Sequence, residues 1–130
     1  MATYALDRLT PQVAHLTLKI VRALPDHWIA RELGRQLLRS GTGVAANYRA
    51  ARRAQSAAAL IAKLKKVEEE ADESMLWMEL LQSEVTAASL AASAKELLGL
   101  CDEVTALSVA AVRTTRKRIR AKRAHRAKRA

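Results

Sequence analysis

The chain contains no phenylalanine, a single cysteine, two prolines and four glycines in 130 residues. Each scarcity removes a class of structure. Without phenylalanine, and with few runs of β-branched residues, nothing favours a pleated sheet. So few breakers leave room for only a handful of turns. One cysteine, Cys101, cannot close an internal disulfide, and no signal-peptide pattern opens the chain, so the expected location is cytoplasmic. No apolar run approaches the roughly 20 residues that span a bilayer, so no membrane partner is expected. Alanine, leucine, lysine, arginine and glutamate, all good helix formers, make up most of what remains. The length suits one domain.

Charge is unevenly placed. The net charge is +10, yet residues 1–112 hold 13 basic and 13 acidic groups and are neutral. Residues 113–130 hold ten cations and no acid: Arg113, Arg116, Lys117, Arg118, Arg120, Lys122, Arg123, Arg126, Lys128 and Arg129. The neutral part is itself divided, with a surplus of six positive charges in residues 1–53 and six negative in residues 54–112. We therefore expect two units, a body of residues 1–112 and a basic C-terminal tail of residues 113–130.

Apolar spacing predicts four helices in the body. Leu6, Leu9, Val13, Leu16, Ile20 and Leu24 recur at three and four residues, which places them on one stripe from about Thr3 to Leu24. Pro11 suits a first helical position, so regular helix is expected to begin there. Pro25 and Asp26 end the element, with Asp26 or a nearby residue available as the next cap. A second helix runs from about Trp28 to Arg53, its stripe holding phase across Gly41, Thr42 and Gly43. Two interior glycines cost about 1 kcal/mol each relative to alanine, so they mark either a kink or a close neighbour, and the unbroken phase favours a neighbour. Ser56 caps a third helix reaching about Ser83. Leu60, Leu64, Val67, Ala71, Ser74, Met78 and Leu81 alternate steps of four and three, the seam of a left-handed bundle. A fourth helix starts near Ser89 and continues to at least Val112, with Leu90, Ala94, Leu97, Cys101, Val104, Ser108 and Ala111 in the same rhythm. The expected fold is all-α, an up-down-up-down four-helix bundle with a basic C-terminal extension. The tail either continues the fourth helix or orders when a partner neutralises it. So thin a core, rich in alanine, would gain from self-association.

A catalytic site is hard to assemble from this chain. A di-iron bundle needs Glu-x-x-His pairs, and no glutamate here has a histidine three residues on. His15, His27 and His125 lack ligand spacing, so no metal and no cofactor is expected. There is no phosphate-cradling glycine loop and no nucleophile elbow. Cys101 falls on the fourth-helix seam as a small core residue. The acidic group Glu68, Glu69, Glu70, Asp72 and Glu73 reads either as a solvated face or as the partner of Arg31, Arg35 and Arg39, which step along the second helix at i+4. Gln36, Ser40, Thr42 and Asn47 lie on or beside the apolar stripe, which points to hydrogen bonding that fixes register between helices.

The segment RQLLRSGTGVAANYRAARRAQSAAALIAKLKKVEEEADESMLWMELL resembles the bacterial four-helix-bundle family of ribosomal RNA intervening-sequence proteins. In its second helix that family reads RQL-x-RS-x-x-S-V-x-AN-x-x-EA. The matches are Arg35, Gln36, Leu37, Arg39, Ser40, Val44, Ala46, Asn47 and Tyr48. In the third helix they are Lys63, Leu64, Glu69, Glu70, Asp72, Glu73, Trp77, Glu79, Leu80 and Leu81. The likeness spans about residues 5–112. Gly43, Ala50 and Gln55 depart from the pattern, replacing a serine, an acid and an arginine. The resemblance implies a homopentamer around a central pore, related to the accessory proteins of diversity-generating retroelements, which act with a reverse transcriptase and nucleic acid.

The functional expectation is a non-enzymatic homo-oligomer that binds RNA or DNA electrostatically, as an accessory to a reverse transcriptase or another nucleic-acid enzyme. The ten tail cations are its contact residues and Arg31, Arg35 and Arg39 its secondary ones. Phosphate contacts would release counterions and give steep salt dependence. The tail has no aromatic residue, so base stacking is not expected. The alternative is a structural assembly protein whose basic tail is incidental.

Overall fold

The structure, a computed structural model, describes residues 2–130, with side chains from residue 4 onward; Met1, at the start of the expected body, lies outside the described residues. Four helices fill it: α1 (Ala2–Arg22), α2 (Trp28–Arg52), α3 (Ala57–Glu84) and α4 (Ala88–Arg129). Each packs on the two beside it in a closed ring, α1 on α2 and α4, α3 on α2 and α4. Among the described residues, no diagonal pair meets. Short connections reverse the chain three times, which makes the up-down-up-down four-helix bundle.

The apolar stripes account for the core. Leu6, Leu9, Val13 and Ile20 of α1, Leu37 and Val44 of α2, Leu64, Val67, Met78 and Leu81 of α3, and Leu97 and Val104 of α4 are the largest fully buried side chains. The seam rhythm of α3 and α4 is visible in burial itself, at 64, 67, 71, 74, 78 and 81 and at 90, 94, 97, 101, 104, 108 and 111. Pro11 lies inside α1 and does not start it. A proline there removes one donor, but Thr10 Oγ1 donates to the Leu6 carbonyl at 2.8 Å and ties the preceding turn together. His27, the residue next to Asp26, caps α2, its Nδ1 accepting from the Ile29 N–H at 3.3 Å. Asp26 is occupied in an ion pair with Arg31. Ser56 caps α3, accepting from Ala59 N at 3.0 Å.

The glycines of α2 mark close approach. The helix runs unbroken through them. A Cβ on Gly41 would stand 2.3 Å from Thr17 Oγ1 and 2.7 Å from Thr17 Cγ2; one on Gly43 would stand 2.8 Å from a Glu70 carboxylate oxygen. Between these contacts Ser40 Oγ and Ser74 Oγ share a buried hydrogen bond of 2.8 Å across α2 and α3. Of the four polar residues expected to link helices, Ser40 alone has such a bond among the described residues. Gln36 Nε2 donates to Glu32 Oε1, Thr42 Oγ1 to the Leu38 carbonyl and Asn47 Nδ2 to the Gly43 carbonyl, all within α2. Their side chains sit at the flank of the stripe, where a carbonyl or side chain one turn back is nearer than another helix.

At the end of the bundle away from the α3–α4 turn, Asp7 of α1 accepts from Tyr48 and pairs with Arg52 at 3.2 Å. Burial, and then Asp7, push the Tyr48 hydroxyl up to about 12.

Gly41→Ala should lower stability by about 1–3 kcal/mol, because the branched Thr17 side chain cannot swing clear of the new methyl. Gly99 provides the control. Nothing lies within 4 Å of its Cβ position, so Gly99→Ala should gain up to about 1 kcal/mol of helix propensity. Urea unfolding of both variants checks the pair; equal effects of the same sign would refute the close-approach reading.

Candidate nucleic-acid interface

The basic segment is helical. α4 passes residue 113 without interruption and continues to Arg129. Its seam stays in register. Burial extends to Thr115, and the same alternation of three and four then reaches Arg118, Lys122, His125 and Arg129. Positions that face the core in the body are thus taken by polar and cationic groups once the other helices have ended. Beyond Thr115 only Ile119 keeps partial cover. The 14 residues from Arg116 to Arg129 form a rod of roughly 20 Å.

All ten tail cations are exposed, and among the described residues none takes part in an ion pair. Arg113, Arg116 and Arg120 lie along the flank of α4 beside α3. With Val109, Val112, Lys65 and Glu68 they line a shallow groove of about 380 Å³ between α3 and α4. The last turn carries Arg126, Lys128 and Arg129, where cations meet the negative end of the helix dipole.

Arg31, Arg35 and Arg39 are exposed on α2. Among the described residues, no ion pair joins them to α3. Arg31 is paired with Asp26, and Arg39 donates to Gln36 Oε1 at 3.3 Å. Arg39 still acts on α3 at a distance. Burial raises the Glu70 pKa above its ordinary value, Glu73 adds to the rise, and Lys66 and Arg39 oppose it. The same outer side of α2 carries Arg49 and Arg53, also exposed, which the sequence reading passed over. Continuing the step arithmetic beyond the glycines, from Arg35 and Arg39 to Ala46, Arg49 and Arg53, would have found them.

Other candidate chemistry is sparse. Among the described residues, no three metal-ligating side chains come together. His15 and His125 are exposed and His27 serves as a cap. A hollow of about 770 Å³ lies between the helix ends at the α3–α4 turn and is lined by Ile20, Leu24, His27, Val85 and Leu90 among others. Cys101 is fully buried on the α4 seam, and burial pushes its thiol from an ordinary 9.0 up to about 12. Among the described residues, no helix is long and apolar enough to cross a membrane.

No family model matches the chain, and no curated protein does. A solved structure resembles it. This is the crystal structure, at 1.70 Å, of a protein of unknown function from the S23 ribosomal protein family of Bacteroides thetaiotaomicron. The two share 26% sequence identity at a TM-score of 0.78, over 87% of this chain and 99% of that one.

The Cys101 thiol gives a pH prediction. Its folded pKa lies above its unfolded one, so its contribution is complete below pH 9 and is lost as pH rises from 9 towards 12. The melting temperature should therefore fall over that interval, and Cys101→Ala should fall less steeply. In the native protein at about pH 8 the thiol should resist iodoacetamide, since the thiolate is the nucleophile. Rapid alkylation without unfolding would contradict the burial.

Proposed function

We propose that this chain is a non-catalytic, cytoplasmic, homo-oligomeric bundle protein that binds nucleic acid through phosphates, as an accessory to a reverse transcriptase or another nucleic-acid enzyme. The observation that carries the reading is the α4 extension: ten exposed cations on one helix, with no acid among them. Like charges at i and i+4, such as Arg116 with Arg120 and Lys122 with Arg126, repel each other along this rod. A polyanion relieves that repulsion, and the surrounding phosphates replace condensed counterions. Compact anions would satisfy a few of these groups; a polymer satisfies them together. The likeness to a protein placed in a ribosomal family, and the motif shared by α2 and α3 with intervening-sequence proteins, support the same direction.

Self-association is supported by what the single bundle leaves uncovered. Leu76 and Leu80 on α3 are 48% and 39% exposed, and the neighbouring Trp77 Nε1 is buried without a hydrogen-bond partner among the described residues. The family resemblance supports five copies. Converging tails would then bind with avidity beyond that of any single tail. Light scattering at micromolar concentration should give a mass several times 14.3 kDa, near fivefold; the monomer mass would refute assembly.

Removing residues 116–130 takes away nine of the ten cations and leaves Thr115 to close the seam. The full chain should lose about a thousand-fold or more in affinity between roughly 50 and 200 mM salt, on RNA and DNA of unrelated sequence alike. The shortened chain should lose most of its binding and keep its melting temperature. Equal binding by both in gel-shift titrations would remove the tail from the mechanism, and no binding by either would favour a purely structural role.

A further inference from the structure

The outer face of α2 holds the aromatic group that the tail lacks. Trp28, the first residue of α2, is 67% exposed, although a tryptophan is ordinarily well covered. Its indole stacks on the His27 ring, with centroids 6.3 Å apart and planes inclined by 25°. Because His27 is held as the helix cap, the indole is steadied at one side and open at the other. At 100° per residue, Trp28, Arg31, Arg35, Arg39, Ala46, Arg49 and Arg53 share one side of α2, and all seven are exposed. Glu32 is the one acid within α2, and Asp26, just before the helix, pairs with Arg31. Within each group, Arg31, Arg35 and Arg39 and then Arg49 and Arg53, successive arginines are separated by about 6 Å along the axis, a spacing comparable to that of phosphates in an extended strand, and about 15 Å separates the two groups. No ion pair among the described residues involves Arg35, Arg49 or Arg53.

We propose that this face is a track for single-stranded nucleic acid, with Trp28 taking an unpaired base on its open side and Arg35, Arg49 and Arg53 following the backbone. The proposal rests on the nucleic-acid reading above and adds to it a strand preference and a second contact surface. An aromatic platform at the head of a cationic row is the combination that holds single strands, because every base offers a face to stack and a duplex keeps its bases stacked internally. The tail, by contrast, offers charge alone and binds either form. α2 runs from the Trp28 end of the bundle to the end from which α4 projects, so a strand lying along the row is led towards the tail.

The test uses the full chain with oligo(dT), oligo(U) and a duplex of matched length at one moderate salt concentration. Trp28→Ala should weaken both single strands by about five- to a hundred-fold, as loss of one stacked base does. Duplex binding should change less than about twofold. Trp28→Phe should recover most of the loss, since a phenyl ring also stacks. Arg35→Gln with Arg49→Gln should lower the salt slope for the single strands by about 1.4, for two phosphates. Unchanged single-strand binding by Trp28→Ala, or an equal loss on the duplex, would overturn the track while leaving the tail mechanism standing. If the full chain binds neither form, the broader nucleic-acid reading fails with it. A changed mass in light scattering for the arginine pair, with binding intact, would show instead that this face meets another protein chain.

Discussion

The close approach of α2 to its neighbours at Ser40, Gly41 and Gly43 sets the rest of the molecule. Three contacts lie within one turn: Thr17 against Gly41, Glu70 over Gly43, and the hydroxyl pair of Ser40 and Ser74. Helix propensity opposes two glycines there. What offsets that cost is dispersion contact between backbones that larger residues would hold apart. A one-residue slip of α3 would bring Met75, half-buried at the bundle's flank, or Glu73 opposite Ser40 and leave a hydroxyl unpaired in the core. Fixing this turn fixes the rotation of α2, and with it the direction in which Trp28 and the arginines point.

The second constraint is length. α1, α2 and α3 run for 21, 25 and 28 residues, whereas α4 has 42. An antiparallel partner of α3 uses no more than about as many residues as α3 itself, so the rest of α4 must leave the bundle. The sequence changes where the packing ends. Up to Thr115 the seam positions are leucine, alanine, cysteine, valine, serine and threonine; from Arg118 onward they are arginine, lysine and histidine. A cation inside the body would face a desolvation penalty of several kcal/mol. On the projecting rod it stays hydrated until a phosphate approaches.

Periodicity made much of this legible. The four helices, the close approach at the glycines and the Ser56 cap all followed from spacing and residue type, because burial of an apolar stripe is the largest force on each helix. Pro11 was misleading: a preference for first helical positions is local, and the packing of Leu6 and Leu9 carries α1 past it. The cap of α2 was legible only as Asp26 or a neighbour, and the attraction of Arg31 for the Asp26 carboxylate leaves His27 in the role. The partner of Ser40 lies 34 residues away, and no local pattern names it. Arg49 and Arg53 were within reach of the same arithmetic that found Arg31, Arg35 and Arg39. Gly41, Gly43 and Ala46 interrupt the arginine spacing between Arg39 and Arg49, so the row does not read as one run.

Those acids bear on how a polyanion would lie. Residues 54–112 carry ten acidic groups, and only Glu69 is engaged by an ion pair among the described residues, with Lys66 at 3.6 Å. Packed helices have axes about 8–10 Å apart, close to the Debye length of about 8 Å at physiological salt. The acidic side of α3 is therefore felt on the adjacent flank of α2 and fades towards the flank nearer α1. The arginines are graded by this field. Arg31 already meets Asp26, and Arg39 lies near enough to Glu70 to act on its ionisation. Arg35, Arg49 and Arg53 have no such partner among the described residues. A phosphate chain repelled by α3 and drawn to the least compensated cations would settle on the α1 side of the row. From there the exposed Arg8 near the start of α1 and then the projecting end of α4 lie at the same end of the bundle as Arg53. The neutrality of the body is thus compatible with directed binding, because opposite charges are segregated onto different helices and do not cancel in place.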